Sequence, residues 1–182
     1  ILKMKRIIII FVALLANLIA QAQEHNFIAS EGRLFWQKVY EYNVTVDELA
    51  SSLHIGGKVV DVSILGDIIT CVIPNTPFAL KEAGLSRGMV PMYISLNDFT
   101  AFVKIQIKEG RYRVTVSDIM LIANQNTSLS NTGERMDIET YAVKRGELSN
   151  AVSKTFAPIL GVWLDQTFDF NKLNTSVGGD DW

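Results

Sequence analysis

One cysteine, two histidines and no apolar run of membrane-spanning length: what the 182-residue chain has little of removes several kinds of protein. A lone Cys71 permits no internal disulfide. It also stands far downstream of the apolar leader, so it is not the acylated cysteine that a lipoprotein needs. Its surroundings, "DIITCVI", are those of a small buried hydrophobe rather than a reactive thiol. Neither His25 nor His54 has a second ligand at the spacing metal sites use, such as H-x-x-x-H or C-x-x-C, and no phosphate-cradling loop is present. No metal and no cofactor are therefore expected. There is no basic excess either, with 17 Lys+Arg against 19 Asp+Glu. General nucleic-acid affinity rests on many phosphate-neutralising cations, so nucleic acid is not an expected partner.

What is present begins with an export pattern. Lys3, Lys5 and Arg6 precede "IIIIFVALLANLIA" (Ile7–Ala20), and small residues follow at Ala20 and Ala22. The run has 14 residues, where a spanning helix needs about 20. Residues 1–22 are read as a signal peptide cleaved after Ala22, with Met4 as the start. The expected product is a periplasmic or secreted protein that keeps no transmembrane helix. Loss of the three basic residues takes 17 to 14 against 19 acidic, a net charge of −5. The remaining chain suffices for one domain with its own core. Residues 23–33 are read as an N-terminal tail, 34–170 as the domain and 171–182 as a C-terminal tail.

Along the domain, "GRLFWQKVYEYN" alternates as a strand, with Leu34, Trp36, Lys38 and Tyr40 on one side. "TVDELASSLHIGG" is a capped helix. Thr45 and Glu48 are spaced as a capping box, Val46, Leu49, Ala50 and Leu53 form one stripe, and Gly56-Gly57 end it. Two β-rich runs follow, split by Gly66-Asp67. A long connection from Pro74 to Pro91 comes next, then two long strands from Met92 to Ile122. "NQNTSLSNTGER" is a loop and "MDIETYAV" a short edge strand. In "GELSNAVSKTFAPILGVWLDQTF", Leu148, Val152, Phe156, Ile159 and Trp163 mark a helix that Pro158 should kink or interrupt. The chain has no internal repeat.

"KIQIKEGRYRVTV" concentrates positive charge in a chain that is otherwise acidic. A two-residue turn at Glu109-Gly110 sets Ile107, Ile105 and Val103 opposite Tyr112, Val114 and Val116. It places Lys108, Gln106 and Lys104 opposite Arg111, Arg113 and Thr115 on the other face. Slipping by one residue would mix the two sets. The candidate binding surface is thus Lys104, Lys108, Arg111 and Arg113.

The order of strand, short helix, antiparallel strands and long C-terminal helix is that of one repeat of the TATA-box-binding-protein (TBP) fold. "TAFVKIQIKEGRYRVTVSDI", with "DELASSLHIGGKVV" before it, resembles a secreted bacterial domain family of unknown function with a TBP-like fold. The resemblance spans roughly residues 34–165. It implies an α+β domain with a curved antiparallel sheet, in β-α-β-β-β-β-α order. Two helices, Val46–His54 and Glu147–Phe156, would pack on one face, with Val103, Ile105, Ile107, Val114, Val116 and Trp163 in the core. It brings no catalytic residues and no ligand, since function belongs to sites rather than folds.

"GLSRG" matches the G-x-S-x-G serine-nucleophile pattern, which needs a strand before the serine and a helix after it. Helix-like "FALKEA" precedes Ser86 and Pro91 follows closely, so coincidence is the better reading. Neighbouring carboxylates, Asp47 with Glu48 and Asp180 with Asp181, read as capping and solvation. With no catalytic constellation, the expected function is a non-enzymatic binding module of the cell envelope. Its open sheet face would meet an envelope protein, or anionic polysaccharide or lipid head-groups. The alternative is a small-molecule carrier or enzyme with a site between the sheet and the 75–90 loop, where Phe78, Leu85 and Met89 supply apolar surface. Mass spectrometry of the exported protein is expected to find Gln23 at the mature N-terminus; a species that keeps Ile7–Ala20 would contradict the leader assignment.

Overall fold

Alternating runs, a capped helix and glycine turns assemble into an α+β fold in the computed structural model, which describes residues 26–128 and 130–171. The main sheet comprises β1 (Phe27–Ser30), β2 (Arg33–Tyr40), β3 (Val60–Leu65), β4 (Ile68–Pro77), β5 (Asn97–Lys108), β6 (Arg111–Ala123) and β7 (Arg135–Asp137). Its order is β1-β2-β6-β5-β4-β3, and every pairing is antiparallel. β6 is long enough to hold two partners on one edge, β2 along Tyr112–Val116 and β7 along Met120–Ile122.

The β5–β6 hairpin turns at Glu109-Gly110, with Gly110 at φ 74°, and takes the expected register from Lys108↔Arg111 to Val103↔Val116. Odd-numbered residues of β5 (Phe99, Ala101, Val103, Ile105) and even-numbered ones of β6 (Tyr112, Val114, Val116) are buried. Near Ala101 the parity of β6 changes. Thr100 pairs with Met120 but Phe102 with Ser117, so β6 holds one extra residue there, and Asp118 lies at φ 50°. This β-bulge lets Ile119 and Leu121 join the same core.

Helix α1 (Val46–Gly56) starts as its sequence dictates. The Thr45 hydroxyl accepts from the Glu48 N–H at 3.3 Å, and Glu48 accepts from the Thr45 N–H at 2.9 Å. The Thr45 N–H, and the Thr45 hydroxyl donating at 2.8 Å, hold the Glu48 carboxyl below its ordinary range. Gly57, at φ 61°, closes the helix. Leu49, Ala50 and Leu53 enter one hydrophobic cluster with the buried strand residues and with Phe156, Leu164 and Phe168 of the final helix, so both helices cover the same face.

Several expectations are corrected. Residues 23–33 are not all tail. β1 pairs with β2 through a turn at Glu31 and Gly32 (φ 51° and 78°), and Phe27 is fully buried. The element order therefore starts β-β-α. Glu147–Leu148 is strand, not helix: Arg145 and Gly146, both at positive φ, turn β8 (Val143–Lys144) back onto β9 (Glu147–Leu148). The final helix instead runs as a π-helical segment, Val152–Gly161, into an α-helix, Val162–Phe168. Its wider winding accommodates Pro158, whose ring would meet the carbonyl of Lys154 in a tighter turn. Pro74 and Pro77 belong to β4, where the register shifts between Ile73 and Thr76. "MDIETYAV" is not one edge strand: Met136 and Asp137 end β7, Glu139–Ala142 is a helical turn, and Val143 starts β8. Met92–Ser95 is likewise a helical turn, so β5 starts at Asn97. Ile107 and Trp163 pack against the core but are only partly buried. Leu53 is 4% exposed. Leu53→Ala should therefore lower unfolding stability by roughly 2–5 kcal/mol in urea titration; a loss under about 0.5 kcal/mol, the usual size of a surface effect, would place it outside the core.

Candidate functional site

Side-chain alternation in β5 and β6 sends Lys104, Lys108, Arg111 and Arg113 to the face without helices. Lys108, Arg111 and Arg113 are exposed and Lys104 is half-buried. Three of the four, Lys108, Arg111 and Arg113, line a shallow groove of about 240 Å³ with Val39, Gln106 and Tyr112. Lys104 is not part of that lining; it pairs with Thr115 on one side and Thr70 on the other. Arg113 donates to the Gln106 side-chain oxygen, and Gln37 Nε2 donates to Thr115 Oγ1 at 3.0 Å. Among the described residues none of these four cations forms an ion pair; the pairs present are Arg33 with Asp118 at 3.0 Å and Lys38 with Asp165. Beyond the cations the face carries Gln37, Thr70, Thr100 and Thr115 between partly exposed Phe35, Val39, Val72 and Phe102.

A second concavity lies under the loop that follows β4, on the helix-covered side. The Leu85 N–H reaches the Leu80 carbonyl at 2.8 Å, and Gly84 takes φ 70° with its N–H on Lys81 at 3.0 Å. The coil so formed and Trp163 line an open concavity of about 650 Å³, with Phe78, Leu80 and Leu85 beside Lys81 and Arg87. Phe78 meets Phe99 at 5.0 Å, and Phe99 meets Trp163 edge-on at 5.3 Å. Phe78 and Leu85 thus lie where expected. Met89, 67% exposed, is not in the lining. Ser86 is extended, with a turn before it and only a three-residue 3₁₀ segment after it, Arg87–Met89. The strained strand-to-helix bend of a nucleophile elbow is not formed there.

Other groups singled out in the sequence fall elsewhere. His54 is exposed in the last turn of α1, and His25 lies outside the described residues. Cys71 is buried, which pushes its thiol up to about 12 and keeps it neutral. Among the described residues no three His, Cys, Asp or Glu side chains are gathered as for a metal.

Sequence reasoning missed one polar constellation. Lys38 lies on the core-facing side of β2 yet is charged, and the structure supplies its partner: Asp165 of the final helix. Tyr40 also donates to Asp165 Oδ1, at 2.9 Å, and Lys38 Nζ stands 4.8 Å from the Tyr40 ring. Tyr112 stacks on Tyr40 at 4.9 Å, donates to the Phe168 carbonyl at 2.8 Å and accepts from the Phe170 N–H at 3.1 Å. Burial raises both phenols well above their ordinary range, so they remain neutral hydrogen-bonding groups. A lysine among core-facing residues was the available signal; which acid it meets depends on a contact 127 residues away.

No known family model matches the chain, and no curated protein matches it. Two solved structures are similar to it. One is a TBP-like protein from Parabacteroides distasonis, 14% identical, covering 81% of this chain and 90% of that one at a TM-score of 0.43. The other is a DUF4468 family protein from Bacteroides ovatus, 11% identical, covering 89% of this chain and 96% of that one at a TM-score of 0.47. At these identities and TM-scores no family, ligand or activity passes to this chain from either. No helix among the described residues is long and apolar enough to cross a membrane.

Proposed function

We propose that the protein is an exported binding module of the cell envelope whose helix-free sheet face takes an anionic polysaccharide. The observation that carries this reading is the groove in which Lys108, Arg111 and Arg113 converge without a carboxylate partner among the described residues. Lys108 directly opposes Arg111, and like charges so placed cost about 0.2–1 kcal/mol until an anion offsets them. A guanidinium presents a planar fork that matches carboxylate or sulfate oxygens. The rest of the face suits an extended sugar chain, with amide and hydroxyl side chains (Gln37, Thr115, Thr70) beside partly exposed aromatic surface at Phe35 and Phe102. Such a platform requires no enclosed pocket. It also agrees with a chain whose net charge is not basic, because the attraction is local and steering falls off within a Debye length of about 10 Å at 0.1 M salt.

Chromatography on an immobilised uronate polymer such as alginate, beside neutral dextran, tests the reading. The wild-type mature protein should be retained by alginate at low ionic strength, released by salt, and pass through dextran. Lys108→Glu/Arg111→Glu should pass through both. Equal retention of wild type and double variant would remove the basic face as the site. Capture by anionic vesicles but not by alginate would transfer it to lipid head-groups.

A further inference from the structure

We propose that the cavity beneath the 78–87 loop is a second binding site, for a small monocarboxylate with an apolar body such as a fatty acid. The site lies on the sheet face opposite the basic groove and does not depend on that reading. Its volume, about 650 Å³, is within the range of small-molecule pockets, ~300–1,000 Å³. Its floor is aromatic and continuous with the core: Phe78 is buried, and Phe99 joins it to the partly exposed Trp163. Leu80 and Leu85 on the loop form the apolar walls, packed against the core and partly exposed.

Charge selects the head-group. Lys81 and Arg87 both line the cavity and are exposed, and neither is ion-paired among the described residues. Lys58, whose Nζ stands 5.7 Å from the Trp163 ring and 3.4 Å from Thr167 Oγ1, is not part of the lining. Glu82 is the one acid in the lining. A carboxylate at the rim would meet an excess of positive charge there, while its hydrocarbon covers Phe78, Leu85 and Trp163. An ammonium amphiphile of the same length would be repelled. The loop is held by backbone bonds, with the N–H groups of Ala83, Gly84 and Leu85 on Ala79, Lys81 and Leu80, and by the packing of Phe78, Leu80 and Leu85 on the core. The concavity's lining is therefore formed without a ligand, and its side chains are what a ligand would contact.

Calorimetric titration of the mature protein with dodecanoate, beside dodecyltrimethylammonium, reads both parts of the assignment. Dodecanoate should bind at one site and the cationic amphiphile at least tenfold more weakly. Lys81→Glu/Arg87→Glu, confined to exposed side chains, should weaken dodecanoate at least tenfold with an unchanged thermal midpoint, and Glu82→Gln should tighten it. Lys108→Glu/Arg111→Glu, on the opposite face, should leave it unchanged. Failure of the wild type to bind dodecanoate would overturn the site. Equal affinity for the two amphiphiles, or loss of dodecanoate in the opposite-face variant, would overturn the assignment of the head-group to Lys81 and Arg87.

Discussion

Pairing Ile105 with Val114 and Gln106 with Arg113 commits every neighbouring side chain to one face of the sheet or the other. β5 and β6 are the longest strands and lie at the centre, so β4 and β2 inherit their alternation through direct pairing. One set of residues (Ile69, Cys71, Val103, Ile105, Val114, Val116, Trp36) then forms a single apolar surface. Burying it contributes on the order of 25 cal/mol per Å² of apolar area removed from water. A shift by one residue would place Lys104 and Arg113 under the helices, where an unpaired charge is far costlier than any apolar loss. That asymmetry is why the cations share a face: the face is what remains after the core has taken the other set.

The helix-covered side needs a second device, because the final helix is attached across a long sequence separation. Tyr112, near the turn end of the hairpin, bridges the Phe168 carbonyl and the Phe170 N–H, which satisfies backbone groups at the helix end that have no partner within it. Lys38 and Tyr40 on β2 both reach Asp165 one turn earlier. A partly buried ion pair of this kind adds little net stability, but removing one partner leaves a charge with poor solvation, so it fixes where the helix docks. That docking sets Trp163 against Phe99 and thereby forms one wall of the cavity under the 78–87 loop.

Features decided by near neighbours along the chain are legible in the amino-acid sequence alone. The hairpin register, the Thr45–Glu48 cap, the Gly66-Asp67 turn and the identity of most core residues all follow from spacing within a few residues. Features decided at a distance are not. β1 has four residues, and it is enclosed by β2, by β9 and by the π-helical segment, all of them set by contacts distant along the chain or across a turn. The start of the last helix is displaced by a hairpin at Arg145-Gly146, a turn signal that the apolar steps of four mask. Proline in a helix announces a disturbance but not its form, here a π-helical segment instead of a kink. Alternation identifies the basic quartet, yet its division into three groove residues and a separate Lys104 depends on how Val39 and Tyr112 shape the surface. The cavity has only its loop length and scattered apolar residues as a signal, and Trp163 joins it from the far end of the chain.

The division of the sheet into two faces is the claim on which both binding sites rest, and single cysteines test it directly. Cys71 can stay in place, since burial raises its thiol to about 12 and makes it an internal control that a maleimide should not label in the folded protein. Introduced one at a time, Gln106→Cys and Thr115→Cys should label rapidly under native conditions. Ile105→Cys and Val114→Cys should label only on unfolding in urea. Native labelling at 105 and 114 with protection at 106 and 115 would mean that the strands are paired one residue out of the register described, and both faces would have to be reassigned.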